Sequence, residues 1–339
     1  MSKLSLSVAA ENLPFRTPFR ITGYTFTVSR VVVVRISDGQ ASGLGEASGI
    51  YYRSEDAEAM LASIEAVRPA LEAGVSREEL RALMPAGGAR NAVDCALWDL
   101  QAKQERRPVW QLAKLSPPVP LVTTYTLGAE SPQHMAHTAQ NAASFSALKL
   151  KLSGELDLDI ERVSSVRAAR PDAWLSVDAN QGYSIDVLSN LLPHLARAKV
   201  ALIEQPLARG RESDLDGFKC PIPIAADESV LGLDEMPALV GRFNVVNIKL
   251  DKCGGLTEAL MMIDTARRLG LRLMVGNMVG SSWAMAPGFI VGQSCEFVDL
   301  DGPLALAVDR TPGVCYEDGR VRCDESVWGA ATGETGAGP

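Results

Sequence analysis

Acidic residues follow three successive short apolar runs in the second half of the sequence, and their types and spacing could bind a metal ion. Asp178, Glu204 and Asp227 each stand at the end of one run. If the runs are parallel strands, the three carboxylates lie at the same height and repel one another unless a cation neutralises them. Oxygen donors without Cys or His favour Mg²⁺, with Mn²⁺ as an alternative ion. The sequence therefore predicts one magnesium site, against the alternative of three separate surface acids.

Two other runs carry lysines that could move protons. Lys149 and Lys151 are two positions apart inside the apolar run 147–152, so both side chains point to the same face of a strand. Lys249 lies on the run 245–250, which is diametrically opposite in a closed ring of strands. Amines on two sides of a metal site could act as bases, because a neighbouring Lys⁺ and a divalent cation both lower a lysine pKa. The alternative is that these lysines are exposed in loops.

A second acidic pair, Asp299 and Asp301, lies on the last apolar run. The spacing of two again directs both side chains to one face of a strand. With the metal site already supplied by other acids, this pair could bind an ammonium group of a substrate. It could equally cap the N-terminus of a following helix, and spacing alone leaves the two interpretations open.

The elements that would position these residues alternate in type from residue 119 onwards. Short apolar runs are separated by stretches with helical spacing, a pattern typical of a parallel sheet. Eight such runs over about 190 residues predict a closed α/β barrel of the TIM type, in which catalytic groups come from the C-terminal ends of the strands. The runs are 122–127, 147–152, 174–177, 201–203, 224–226, 245–250, 272–275 and 297–300.

The first part of the chain has a different order of predicted strands and helices. Three predicted strands (4–9, 24–36 and 41–47) are followed by three predicted helices (55–72, 76–84 and 88–105), the second with Ser76 and Glu79 spaced as a capping box. This order predicts an α+β capping domain that ends at a Ser-Pro-Pro linker. The predicted division is 1–117 for the cap, 118–310 for the barrel, 311–330 for a C-terminal segment packing on the cap, and 331–339 for a disordered tail.

The charge of the chain excludes several classes of partner. Lys and Arg number 33 and Asp and Glu number 41, giving a net charge of −8. An acidic chain without a basic cluster is a poor ligand for nucleic acid or an anionic membrane. No apolar run reaches the ~20 residues that span a bilayer, and the N-terminus lacks a signal-peptide core. We therefore expect a cytoplasmic protein.

Five strand-end motifs resemble those of the enolase superfamily, muconate-lactonising subgroup, and the resemblance extends over residues 4–325. They are LKLK at 148–151, VDAN at 177–180, IEQP at 203–206, ADES at 226–229 and NIKLDK at 247–252. The resemblance implies a modified TIM barrel, (β/α)7β, with an N-terminal α+β capping domain. It also implies Lys149, Lys151 and Lys249 as catalytic residues with one Mg²⁺, the known chemistry of such sites.

Within that subgroup the chain is similar to the dipeptide epimerases, above all those acting on L-Ala-D/L-Glu. The similarity is carried by residues 89–100, 247–260, 299–303 and the Tyr125-Thr126 pair. It implies that Asp299 and Asp301 bind the ammonium of a dipeptide, that Thr126 contacts the substrate, and that Arg20 holds an acidic side chain. It implies further substrate-loop residues where the sequence departs from the family, namely Tyr51, Tyr52, Asn277, Met278 and Ser281.

The activity implied is inversion of the α-carbon of the C-terminal residue by two-base proton transfer, in murein peptide metabolism, by a homo-oligomer. Three alternatives stay open. They are another reaction of the subgroup (cycloisomerisation or o-succinylbenzoate synthesis), epimerisation of a different dipeptide, and a non-catalytic barrel that binds a metal or a small acid.

Overall fold

The computed structural model describes residues 3–330, and the predicted tail 331–339 lies outside them. The chain begins with a three-stranded antiparallel sheet, β1 (Ser5–Ile21), β2 (Tyr24–Ser37) and β3 (Ser42–Ser48), in the order β1-β2-β3. The β1–β2 hairpin is long, and its turn lies against the barrel. There the Thr22 hydroxyl lies 2.8 Å from the carbonyl oxygen of Leu152 and 3.1 Å from that of Ala179, so it can donate to either.

Four helices follow, and the first and third pack against this sheet. Asp56 caps the first helix, and Ser76 and Glu79 form the predicted capping box at the second. The third helix packs so closely on β3 that a Cβ at Gly45 would lie 2.0 Å from the carbonyl oxygen of Ala92. The helices are α1 (Ala57–Ala73), α2 (Arg77–Leu83), α3 (Gly88–Glu105) and α4 (Val109–Leu112).

The rest of the chain builds an eight-stranded parallel sheet, which confirms the predicted barrel class. Its strands are neighbours in chain order, β5 to β12. The sheet strands are β5 (Thr124–Leu127), β6 (Ala147–Lys151), β7 (Trp174–Asp178), β8 (Val200–Glu204), β9 (Ile224–Ala226), β10 (Val245–Ile248), β11 (Arg272–Val275) and β12 (Phe297–Val298). The intervening helices are α5 (Pro132–Asn141), α6 (Leu156–Ala169), α7 (Ile185–Arg197), α8 (Leu250–Cys253), α9 (Leu256–Leu269) and α10 (Ser282–Gly292).

Two local features differ from the sequence-based expectation. The connections β8–β9 and β9–β10 contain 3₁₀ turns, 212–215 and 233–239, instead of α-helices. The run 122–127 also divides, because β4 (Leu121–Val122) leaves the barrel sheet and pairs with β14 (Arg320–Arg322), which in turn pairs with β13 (Cys315–Glu317).

The ends of the barrel sheet meet through side chains. The backbone N–H of Leu300 donates to the Thr123 hydroxyl at 3.0 Å, and the Thr124 hydroxyl donates to Asp299 at 2.7 Å. After β12 the chain makes only a 3₁₀ turn, 302–305, before the C-terminal segment. These contacts bring the first and last barrel strands together beside the acidic pair.

The C-terminal segment returns to the cap. The Trp328 indole donates to the carbonyl oxygen of Leu44 at 2.7 Å, and the N–H of Gly329 donates to Asp99 at 2.9 Å. Polar contacts therefore join the C-terminal segment to β3 and α3 of the cap. No helix in residues 3–330 has the length and apolarity needed to cross a bilayer.

Candidate active site

The predicted metal ligands meet at the C-terminal ends of adjacent strands. Asp178 ends β7, Glu204 ends β8 and Asp227 follows β9. The register of the parallel strands pairs Asp178 with Glu204, and one oxygen from each of the three carboxylates lies within 4.8 Å of the others. All three side chains are buried. Parallel register thus converts a repeating sequence position into one cluster of oxygen donors.

The electrostatics of this cluster fit a cation. Burial and the neighbouring Asp178 carboxylate raise the pKa of Glu204 to about 8. Burial also opposes ionisation of Asp178, but Lys151 and Lys149 outweigh it and lower its pKa to about 2. The lysines therefore compensate only part of the negative charge, and the pKa of Glu204 stays raised although the Lys149 amine lies 2.7 Å away. A buried carboxylate in that condition, among hard oxygen donors, is suited to Mg²⁺.

The three predicted catalytic lysines contact the same carboxylates. The Lys151 amine lies 2.6 Å from an Asp178 oxygen and the Lys249 amine 2.6 Å from an Asp227 oxygen. Lys149, fully buried, lies 2.7 Å from a Glu204 oxygen. Lys151 ends β6 and Lys249 follows β10, so the two amines approach the cluster from opposite sides of the barrel.

The sequence predicted lysine pKa values lowered by a neighbouring Lys⁺ and a bound cation, whereas the protein groups by themselves raise the pKa of Lys249 and Lys149. Burial alone lowers the pKa of Lys249, but the Asp227 and Glu204 carboxylates outweigh it and hold that pKa well above its usual range. The pKa of Lys149 is raised by Asp299 and Glu204 in the same way. The pKa values of both lysines are raised because several carboxylates surround them. The spacing of residues in the sequence does not show how many carboxylates lie close to each amine.

The second acidic pair faces the same space. Asp299 accepts from Thr124 at 2.7 Å and from Lys149 at 2.8 Å. Asp301 accepts from the backbone N–H of Thr126 at 2.6 Å. Asp301 is the N-cap of the short 3₁₀ turn 302–305, but its side chain makes no capping hydrogen bond. The helix-cap interpretation is therefore wrong for this carboxylate, which is left available to a ligand.

Asp301 should make substrate binding depend on pH. Burial and the Asp299 carboxylate raise the pKa of Asp301 to about 7. Its carboxylate is then lost as the pH falls below 7, and with it any ion pair that it would form with a cationic group of a ligand. We expect kcat/KM to fall up to about tenfold per pH unit below this pKa. A pH profile of Asp301→Asn should lose the step near pH 7; an unchanged step would contradict the assignment.

Two cavities adjoin the lysines. The first has a volume of about 380 Å³ and is lined by Asp299, Asp301 and Thr126. The second has a volume of about 520 Å³ and is lined by aromatic and aliphatic side chains of the cap. Lys151 and Lys249 contribute to the lining of both cavities. The lysines thus stand where the two cavities meet.

The predicted substrate-loop residues are dispersed. Tyr51 and Met278 line the second cavity and Asn277 lines both. Tyr52 presents a buried hydroxyl that has no hydrogen-bond partner among the described residues. Burial, followed by the charge of Asp227, raises its pKa.

Arg20 lies outside the lining of both cavities. It forms an ion pair with Glu130 at 2.5 Å. Arg16, four positions earlier, lines the first cavity instead. The strand β1 has an irregular register between Pro14 and Phe19, so alternation along the sequence could not indicate which arginine faces the site.

Several site residues were not recognised from the sequence. Lys252 donates to the Asp227 carboxylate at 2.5 Å and to its carbonyl oxygen at 2.6 Å. Asn247 donates to Glu204 at 3.0 Å, and Gln205 accepts from the N–H of Asp227 at 2.9 Å. Lys252 and Asn247 hold two of the carboxylates, and Gln205 holds the backbone of Asp227. A signal was present, since each lies within the strand-end motifs.

Ser281 is a link between the cap and the loop after β11. It is buried, caps α10, and donates to Glu46 of β3 through its N–H at 2.7 Å and its hydroxyl at 2.6 Å. Arg310 also contacts Glu46 at 2.9 Å. In addition, the Ser48 hydroxyl donates to the carbonyl oxygen of Val279 at 2.9 Å. The cap therefore holds the loop that carries Asn277 and Met278.

Glu46→Ala should loosen this link. The substitution leaves the buried N–H and hydroxyl of Ser281 unpaired, which we expect to lower the free energy of unfolding by about 2–3 kcal/mol. KM should rise more than kcat falls, because the loop lines the cavities but carries no base. Thermal unfolding and steady-state kinetics measure both. Glu11→Ala, which removes the more exposed partner of Arg310, is the control and should stay within about 0.5 kcal/mol.

Together these groups can hold a divalent cation, place an amine on each side of a bound carbon, and receive a cationic group nearby. Strand-end acids and bases at the C-terminal face are the usual location of chemistry in such barrels. The arrangement is suited to abstracting and returning a proton next to a carboxylate.

Comparison with known families matches both parts of the chain. Residues 3–113 match the N-terminal domain of the mandelate racemase/muconate lactonizing enzyme family. Residues 133–325 match the enolase C-terminal domain-like family. The two matches leave out residues 114–132, which include β4 and β5, and the ends of the chain.

Individual relatives agree with these matches. The L-Ala-D/L-Glu epimerase of Escherichia coli is 39% identical over 94% of this chain and 99% of its own length. The N-acetyl-D-glutamate racemase of a Pseudoalteromonas species is 42% identical over 75% of this chain and 80% of its own. A solved enolase family member from Agrobacterium tumefaciens, with bound sodium and L-Ala-L-Glu, superposes with a TM-score of 0.92 at 41% identity, over 96% of this chain and 100% of that one. The chain belongs to the mandelate racemase/muconate lactonizing enzyme family of the enolase superfamily.

Proposed function

We propose that this protein is a metal-dependent dipeptide epimerase that inverts the α-carbon of the C-terminal residue. The observation that carries the proposal is the pair of buried amines, Lys151 and Lys249, which approach one carboxylate cluster from opposite sides. One amine removes the α-proton and the other delivers a proton to the opposite face, which inverts the carbon. A single base would return the proton to the face it came from.

The α-hydrogen beside a carboxylate is very weakly acidic, so its removal needs strong stabilisation of the enediolate that forms. Asp178, Glu204 and Asp227 would hold a divalent cation, which when bound supplies Lewis-acid stabilisation of that charge. Lys149, buried and 2.7 Å from a Glu204 oxygen, adds a fixed positive charge at the same place. Preorganised charge of this kind is often the largest contribution to such catalysis.

Recognition of a dipeptide is supported by the acidic pair. Asp299 and Asp301 line the first cavity beside the lysines, where they would bind the free ammonium of the N-terminal residue. Substrates of cycloisomerases and of o-succinylbenzoate synthases carry no ammonium, so the pair favours a dipeptide over those alternatives. We propose L-Ala-D/L-Glu as the reference substrate, since relatives with that activity match nearly the whole chain.

The experiment is a panel of dipeptides with Mg²⁺ in D₂O, monitored by loss of the α-proton signal and by formation of the second epimer. We expect exchange and inversion only at the C-terminal residue. N-acetyl-glutamate tests the second candidate function, racemisation of N-acetyl-glutamate, for which one relative is named. Faster turnover of N-acetyl-glutamate than of every dipeptide would replace the proposal. No exchange on the whole panel would instead favour the non-catalytic binding barrel.

The metabolic pathway, the cellular location and the oligomeric state of the protein are further proposals. We propose that the reaction serves murein peptide metabolism, in the cytoplasm, and that the chain forms a homo-oligomer without nucleic acid or membrane partners. A gene deletion that causes murein dipeptides to accumulate would support the first. Light scattering of the purified protein measures the oligomeric state.

A further inference from the structure

The second cavity is the space left for one substituent of the reacting carbon. On the proposed function, the hydrogen faces a lysine, the carboxylate faces the cluster of Asp178, Glu204 and Asp227, and the peptide nitrogen leads to the first cavity. The remaining substituent is the side chain of the inverted residue. The second cavity adjoins both lysines, so it can receive that side chain in either epimer.

The wall of this cavity is built from aromatic rings of the cap. Phe26 and Tyr51 pack edge to face with ring centroids 5.3 Å apart. Phe15 and Phe19 stack with centroids 6.3 Å apart. All four rings line the cavity and are half-buried. A wall of this composition gains free energy when an apolar side chain covers it.

Besides Lys151 and Lys249, which form ion pairs with metal-ligand carboxylates, the charged groups at the cavity are mostly acidic. Apart from the two lysines, Arg30 is the single cation among the described lining residues, and it forms an ion pair with Glu58, which also lines the cavity. Glu55 and Asp56 lie there too, accepting hydrogen bonds from the N–H groups of the loop before α1 and of α1 itself. A side-chain carboxylate placed here meets three carboxylates, and each of the three cations in the lining is already in an ion pair.

We infer that the second cavity takes the side chain of the inverted residue and that it accepts large apolar side chains. The inference rests on the proposed function and extends its substrate class from acidic to apolar C-terminal residues. Dipeptides ending in Phe, Leu or Met fit the aromatic wall, whereas a carboxylate gains no unpaired cation there.

The test compares L-Ala-L-Phe, L-Ala-L-Leu, L-Ala-L-Ala and L-Ala-L-Glu in the α-proton exchange assay. We expect kcat/KM for the Phe or Leu dipeptide to equal or exceed that for the Glu dipeptide, and to exceed that for L-Ala-L-Ala roughly tenfold or more. Lower kcat/KM for both apolar dipeptides than for L-Ala-L-Glu would overturn the inference and leave the epimerase proposal intact. No exchange on any dipeptide would remove both.

Variants identify the wall itself. Phe26→Ala should lower the ratio of kcat/KM for L-Ala-L-Phe to that for L-Ala-L-Ala by roughly tenfold, and Phe26→Leu should restore most of it. Phe297 is also half-buried, but it lies at the opposite end of the barrel beside Trp174. Phe297→Ala is the matched control and should leave the ratio unchanged. An unchanged ratio in Phe26→Ala would place the side chain elsewhere and overturn the inference.

Discussion

Lys249→Ala is expected to abolish inversion while leaving proton exchange on one epimer. Removing one of two bases leaves Lys151 able to take a proton from the epimer that presents its hydrogen to it. Without the second amine no proton reaches the opposite face, so inversion should fall by about 10²–10⁴-fold. Lys151→Ala should show the complementary pattern on the other epimer. Proton magnetic resonance of each pure epimer in D₂O measures exchange and inversion separately.

A structural cause must be distinguished from loss of a base. Both variants remove a partner of a metal-ligand carboxylate, Asp227 or Asp178. Binding of Mn²⁺ to each variant, followed by electron paramagnetic resonance, shows whether the carboxylate cluster is intact. Two variants that bind Mn²⁺ and still invert a dipeptide at the normal rate would contradict the two-base mechanism.

Glu204→Gln is expected to abolish both activity and the stabilisation of the protein by Mg²⁺. In the metal-free protein burial raises the pKa of Glu204 to about 8, above its unfolded value of about 4.3. Ionised Glu204 therefore destabilises the metal-free fold increasingly as the pH rises between these values. The neutral amide should raise the Tm of the metal-free protein at pH 8. It should also remove the increase of about 2.7 kcal/mol that saturation at 100 times Kd gives the wild type.

Thermal unfolding with and without Mg²⁺, together with titration calorimetry, measures these effects independently of activity. Glu296→Gln is the control, since Glu296 forms an exposed ion pair with Arg272 at the other end of the barrel. It should respond to Mg²⁺ as the wild type does. An equal response of Glu204→Gln would show that the cation is held elsewhere.

The sequence predicted the barrel because its period is local. Each strand and each following helix has its own hydrophobic pattern, which can be recognised in the sequence. Because the ends of parallel strands meet at one face, the three carboxylates could also be predicted to lie together. The division of the run 122–127 was not predictable, because β4 pairs with β14, which lies about 200 residues away in the chain. Strand pairing over such a separation cannot be recognised from the hydrophobic pattern of a short apolar run.

The side-chain directions in the cap were also beyond the sequence. The irregular register of β1 decides that Arg16 lines a cavity while Arg20 pairs with Glu130. The lysine pKa values depend on distances to several carboxylates at once. The capping box of Ser76 and Glu79 formed as predicted, because a cap needs only residues that are neighbours in the chain.

The aromatic wall of the second cavity belongs to the cap, whereas the lysines and carboxylates belong to the barrel strands. A substitution in Phe26 or Tyr51 can therefore alter which side chain fits without displacing any acid or base. For protein engineering, substrate specificity can therefore be changed separately from the catalytic chemistry. A library confined to the cap hairpin could search for new substrates while inheriting the proton chemistry unchanged, and descendants of one ancestral gene could diverge by the same route.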